Sequence, residues 1–172
     1  RSGEGLIGGK AWGLARLYDA GATVPEWRVL SAEACLSALD NAGLSETLRE
    51  TLKGLTGLDP TQAAERARLD AASQSMREAI SALSVTDLLG SALADALAQL
   101  GDGPWAVRSS MVGEDSESHS FAGQLESYLF QSAEDVPSAI AKCWASAFSP
   151  HALLYRLNAG MSDLPAVAVV IQ

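Results

Sequence analysis

A chain of 172 residues is long enough to bury a substantial core and ordinarily makes one domain, or one domain with a small appendage. Its 21 acidic and 12 basic side chains give a formal charge of -9, which argues against nucleic acid or an anionic membrane as main partner. A small ligand meets local cations instead, so nucleotide binding survives that objection. No apolar stretch reaches the roughly 20 residues of a membrane span, and Arg1-Ser2-Gly3-Glu4-Gly5 leads into no secretion signal. Cys35 and Cys143 lack metal-ligand spacing, which fits a reducing, cytoplasmic setting. The chain begins without methionine, which leaves processing or excision from a longer protein open.

From Gly9 to Tyr18 the apolar positions Leu14, Leu17 and Tyr18 predict a helix, opened by two glycines and ended by Gly21. Val24-Pro25-Glu26-Trp27-Arg28-Val29-Leu30 reads as a turn entering a short strand. Ser31 is placed to cap the next helix, which uses Cys35, Leu36 and Leu39 before Asn41-Ala42-Gly43 breaks it. The middle of the chain predicts two packed helices. One carries the stripe Leu69, Ala72, Met76, Ile80 and Leu83; the other runs from Val85 through Leu88, Leu89, Ala92, Leu93, Ala96 and Leu97 to Leu100, closed by Gly101.

Asp102-Gly103-Pro104 then punctuates the chain, and Trp105-Ala106-Val107 starts a strand expected to end at Arg108. A second extended run is expected from Leu125 to Phe130. Val136, Ile140, Cys143, Trp144 and Phe148 supply the buried face of a helix whose first turn is favoured by Glu134 and Asp135. Pro150 starts a further helix through Leu153, Leu154 and Leu157, ending at Gly160. The run Ala166-Val167-Ala168-Val169-Val170-Ile171 reads as a strand buried on both sides, whose neighbours are expected partly beyond Gln172.

Chemistry falls to the glycine and arginine segments. Gly8-Gly9 allows close backbone approach, and the helix after it aims amides at an anion that Lys10 meets as a point charge; the competing reading is a solvated lysine at a helix start. The glycine spacing is not that of a Walker loop, and no hydroxyl follows Lys10. Arg108 presents a rigid donor fork suited to phosphate oxygens, held by the strand before it. Ser109 and Ser110 either donate beside it or satisfy the loop's own backbone. Glu114 and Asp115 steady the cations or the loop, and with no second acidic cluster they do not make a metal site. His119 lies in the same polar loop, yet a phosphorylated histidine needs a donor and a departure path. His151 and the two cysteines read as packing residues. Phe121 anchors the loop, Gly123 permits its turn, and Gln124 donates to phosphate or serves the next strand.

Taken in order, Gly8-Gly9-Lys10 with Leu14, Val24-Pro25, Val107-Arg108-Ser109-Ser110, Glu114-Asp115, Ser120-Phe121-Ala122-Gly123-Gln124 with Glu126, Tyr155-Arg156 and Val169-Val170-Ile171-Gln172 resemble the amino-terminal nucleotide-binding domain of phosphoenolpyruvate synthase, pyruvate phosphate dikinase and rifampicin phosphotransferase. The resemblance implies an α/β (α+β) fold, the amino-terminal portion of an ATP-grasp-like unit spanning 1–172 with a helix-rich segment at about 31–100. It implies that Lys10 and Arg108 contact nucleotide phosphates and that Ser109, Ser110, Glu114 and Gln124 shape the site. ATP and Mg2+ are the implied cofactors, with the metal ligands outside this chain. Met111-Val112-Gly113 departs from the family's small-residue and threonine pattern at a point near the phosphates. The family's later metal-binding segment, its phosphohistidine domain and its acceptor domain have no counterpart here. The chain is therefore expected to work with those parts in cis or in trans, passing phosphoryl from ATP through a phosphohistidine to pyruvate or another small acceptor. The alternatives are a noncatalytic nucleotide sensor or protein-interaction domain, or one half of a split enzyme.

Overall fold

The computed structural model describes residues 4–111, 115–116, 119–120 and 126–172. Helix α1 (Glu4–Asp19) bends at Gly8, whose φ of +72° lies in the left-handed region that glycine tolerates. Strand β1 (Arg28–Leu30) runs into α2 (Ala32–Asn41), where the Ser31 hydroxyl accepts a hydrogen bond from the Ala34 amide at 3.3 Å, the cap expected there. Helix α3 (Ser45–Gly54) was not foreseen: its buried side is only Ser45, Leu48 and Leu52, too sparse a stripe to stand out. In α4 (Ala63–Ser81) Leu69, Met76 and Ile80 are buried, together with Ser73, whose hydroxyl donates to the Phe148 carbonyl at 2.7 Å.

The single helix expected from Val85 to Leu100 is two, α5 (Val85–Leu89) and α6 (Ser91–Leu100), broken where Gly90 takes φ +55°. On one continuous helix Val85 and Leu93 would point about 80° apart. The break lets both reach the core, while Ala92 of the expected stripe stays exposed. Strand β2 (Trp105–Met111) continues through Ser109 and Ser110, so Arg108 lies mid-strand and not at its end. A short antiparallel ladder of β3 (Asp115–Ser116) and β4 (His119–Ser120) follows, then β5 (Ser127–Gln131), α7 (Val136–Ser146), α8 (Pro150–Asn158) and β6 (Val167–Ile171).

Four strands form one antiparallel sheet in the order β1-β6-β2-β5, with helices around it, an α+β arrangement. Every residue of β6 is buried, as its unbroken apolar run predicts for a central strand. The register pairs Val107 with Ile171, Ser109 with Val169 and Met111 with Val167, and on the opposite face Arg108 with Val170 and Ser110 with Ala168. The first face joins the main core, where Ile140 and Trp144 of α7 and Phe148 just after it are fully buried. Burying side chains of this size stabilises the fold by roughly 1.5–3 kcal/mol each.

The two middle helices meet common partners more than each other: α4 packs on α7 and α8, and α5 on α7 and α2. The apolar face expected for α1 is also revised. Gly8, Gly9 and Ala11 are buried against the sheet, but Leu17 and Tyr18 are exposed, because the close approach is made by the small residues of the early turns and the helix runs outward from there. His151 is exposed on the first turn of α8 and is not a packing residue. Among the described residues no helix is long and apolar enough to cross a membrane.

Candidate functional site

Arg108 sits where backbone pairing is densest, opposite Val170 of β6 on one side and Ser127 of β5 on the other. A side chain on a strand held from both sides has a fixed root, which is what a guanidinium needs to meet a planar or tetrahedral oxyanion with both of its edges. It is half-buried, and among the described residues no carboxylate is ion-paired with it.

Two residues on, along the same face, Ser110 is fully buried and locks α1 to the strand. Its hydroxyl donates to the Ile7 carbonyl at 2.8 Å and accepts from the Ala11 amide at 3.2 Å. Ile7 and Ala11 stand four apart, the spacing of a direct helical hydrogen bond, so the Ser110 hydroxyl is inserted into the helix ladder at the bend. Gly8 lies inside that interval. A Cβ there would overlap the Ser110 carbonyl and hydroxyl, so glycine is required by space as well as by its positive φ. Ser109, also fully buried, donates from its hydroxyl at 3.0 Å and its amide at 3.3 Å to the Glu126 carbonyl. Both serine hydroxyl protons thus go to main-chain carbonyls, and what the pair supplies is the geometry of α1, β2 and the start of β5.

Lys10 lies between Ile7 and Ala11 in sequence, within the turn that Ser110 holds, and is half-buried. The Cys143 thiol feels two charges, Glu126 raising its pKa and Lys10 lowering it. Burial is the larger cause and, with Glu126, pushes that thiol up to about 12; burial alone does the same for Cys35. Both cysteines are therefore neutral core thiols and not nucleophiles near neutral pH, as their apolar settings predict.

The structure thus brings Lys10, Arg108, Ser109 and Ser110 onto two backbone segments pinned to each other. Glu114 and Gln124, with Phe121 and Gly123, lie outside the described residues; Asp115 and His119 are described only as members of the short β3–β4 ladder. One charged residue near the site escaped sequence reading. Arg77 of α4 reaches Glu126, with Nη2 3.5 Å from Oε1. The signal for it is slight: a cation directly following Met76 of the buried stripe, where water-facing residues are expected further round the helix. Among the described residues no three His, Cys, Asp or Glu side chains converge as a metal site.

Residues 4–172 match the family model described as pyruvate phosphate dikinase, AMP/ATP-binding domain. The chain is 34% identical to a probable phosphoenolpyruvate synthase of Methanocaldococcus jannaschii, covering 97% of this chain and 14% of that protein. It is 33% identical to a probable phosphoenolpyruvate synthase of Archaeoglobus fulgidus, covering 97% of this chain and 22% of the relative. A rifampicin phosphotransferase of Bacillus cereus is 34% identical, again over 97% of this chain and 19% of its own length. The chain therefore spans less than a quarter of the length of these relatives. The match over nearly all of its residues places it in the family: it belongs to the AMP/ATP-binding domain family of pyruvate phosphate dikinase.

Proposed function

We propose that this chain is the ATP-binding portion of a phosphotransferase, with Lys10 and Arg108 holding the donor's phosphates. The observation that supports this most is the Ser110 junction, which ties the turn bearing Lys10 to the strand bearing Arg108. ATP carries several negative charges that must be neutralised and aligned before a phosphoryl group can leave. Arg108 offers paired N–H donors from a rigid strand; Lys10 adds a compact ammonium just after the bend of α1. Ser109 and Ser110 hold these groups in place, and Glu114 and Gln124 are assigned to the same site because the family resemblance implies it.

In this reading the fold is the amino-terminal part of an ATP-grasp-like unit with a helical segment at about 31–100. Mg2+ would share in neutralising the phosphates, and its ligands belong to the remainder of the parent protein, together with a phosphohistidine carrier and the site for pyruvate or another small acceptor. This chain's own part is to bind and orient the donor. In the protein that carries it, Arg108→Ala is expected to lower phosphoryl transfer from ATP and to weaken nucleotide binding together. Unchanged values for both would overturn the assignment.

A further inference from the structure

Helix α3 packs chiefly on α2, and between its last turn and that of α8 lies a cavity of about 90 Å3. Leu52, Leu153, Leu157 and Met161 give it apolar walls, and Lys53 and Arg156 stand in the same lining. None of its lining residues belongs to α1 or β2, so nucleotide binding leaves it unexplained. Each cation occupies the last turn of its helix, where the helix dipole alone favours positive charge. The dipole does not account for two cations from separate helices lining one apolar space. Arg156 is half-buried, and its Nη2 donates to the Asp163 carbonyl at 2.6 Å. Burial disfavours its charge and the Asp163 carboxylate favours it, from beyond ion-pair distance. An adjoining cavity shares Lys53 and Ser162 and adds Asp163 and Arg49, the latter 3.7 Å from Glu46. Arg49 thus has Glu46 and Arg156 has Asp163 nearby, while among the described residues no carboxylate is ion-paired with Lys53.

We propose that this cavity binds a short-chain carboxylate, with its hydrocarbon tail among Leu52, Leu153, Leu157 and Met161 and its carboxylate between Lys53 and Arg156. An apolar cavity of about 150 Å3 holds benzene, so the smaller space here suits a chain of roughly three or four carbons. A guanidinium and an ammonium at the rim meet a carboxylate with charge-assisted hydrogen bonds, and the apolar walls favour a tail over a bare inorganic anion. Such a ligand spans the gap and ties α3 to α8, so its binding stabilises the folded chain.

The test uses the chain labelled with carbon-13 at the methyl groups of its three methionines, titrated with sodium butyrate at constant ionic strength. The Met161 signal is expected to move and to saturate, with a Kd on the order of 1–10 mM, while Met76, buried in the core away from this cavity, stays where it is. Affinity should rise about two- to fourfold per methylene from acetate through propionate to butyrate. Butan-1-ol, which lacks the charge, should bind at least about tenfold more weakly. Lys53 is exposed, so Lys53→Gln should fold normally and weaken butyrate binding roughly three- to tenfold. Arg156→Lys keeps the charge and should lose less. The proposal is overturned if the Met161 signal does not move or does not saturate, if tail length and charge make no difference, or if Lys53→Gln binds butyrate as tightly as the unsubstituted chain.

Discussion

On one face of β2, Val107 and Met111 are buried against β6 and the helical core; on the other, Arg108 is half-buried and Ser110 grips the bend of α1. The period of two along a strand allows one segment to serve both purposes. The core face immobilises the strand, and that immobility is what makes the cation on the opposite face useful: a guanidinium on a mobile loop would first have to be ordered by its ligand, at an entropic cost. The difference teaches that stability and binding should respond to substitution separately, even between neighbouring residues.

The largest expected effect is on the core face. Phe148→Ala removes a fully buried ring and should cost about 3–5 kcal/mol in urea unfolding; a loss under about 1 kcal/mol would show that this face does not anchor the sheet. Ser110→Ala comes next, because it leaves the Ile7 carbonyl and the Ala11 amide without their bridge. A loss of about 1–3 kcal/mol is expected, accompanied by weaker ATP binding as the Lys10 turn comes free of β2. If stability falls while ATP affinity holds, the junction supports the fold but not the site.

The smallest effect concerns the thiols. Cys35 and Cys143 are raised from 9.0 to about 12 in the folded chain, so the native state keeps protons that the unfolded state releases. Their contribution is complete below about pH 9 and is lost as the pH rises toward 12, so stability should fall across that alkaline window. Iodoacetamide at pH 8 should label neither cysteine until urea is added; rapid native labelling of Cys143 would place it outside the core face.

Much of this was legible in the sequence because it is local. The unbroken Val167–Ile171 run marks a central strand, Ser31 marks a helix start, and Gly8-Gly9-Lys10 and Arg108 mark groups suited to phosphate. What escaped depends on contacts between distant segments. Ser110 enters the α1 ladder from 103 positions beyond Ile7, and nothing near Ser110 in the chain announces that its hydroxyl serves a helix. Arg77 and Glu126, far apart in the chain, meet because α4 and β5 both pack on α7. The break at Gly90 was hidden inside a continuous apolar pattern, since alanine and leucine favour a helix on both sides of it.

The central claim is that two cations, one on α1 and one on β2, converge on the phosphates of a single nucleotide. Calorimetric titration of ATP against the unsubstituted chain, Lys10→Ala, Arg108→Ala and the double variant tests it most directly. The account predicts that each single change weakens binding about tenfold, roughly 1.4 kcal/mol, and that their combined effect departs from the sum of the two because both charges act on one ligand. Single variants that bind ATP as tightly as the unsubstituted chain would contradict it.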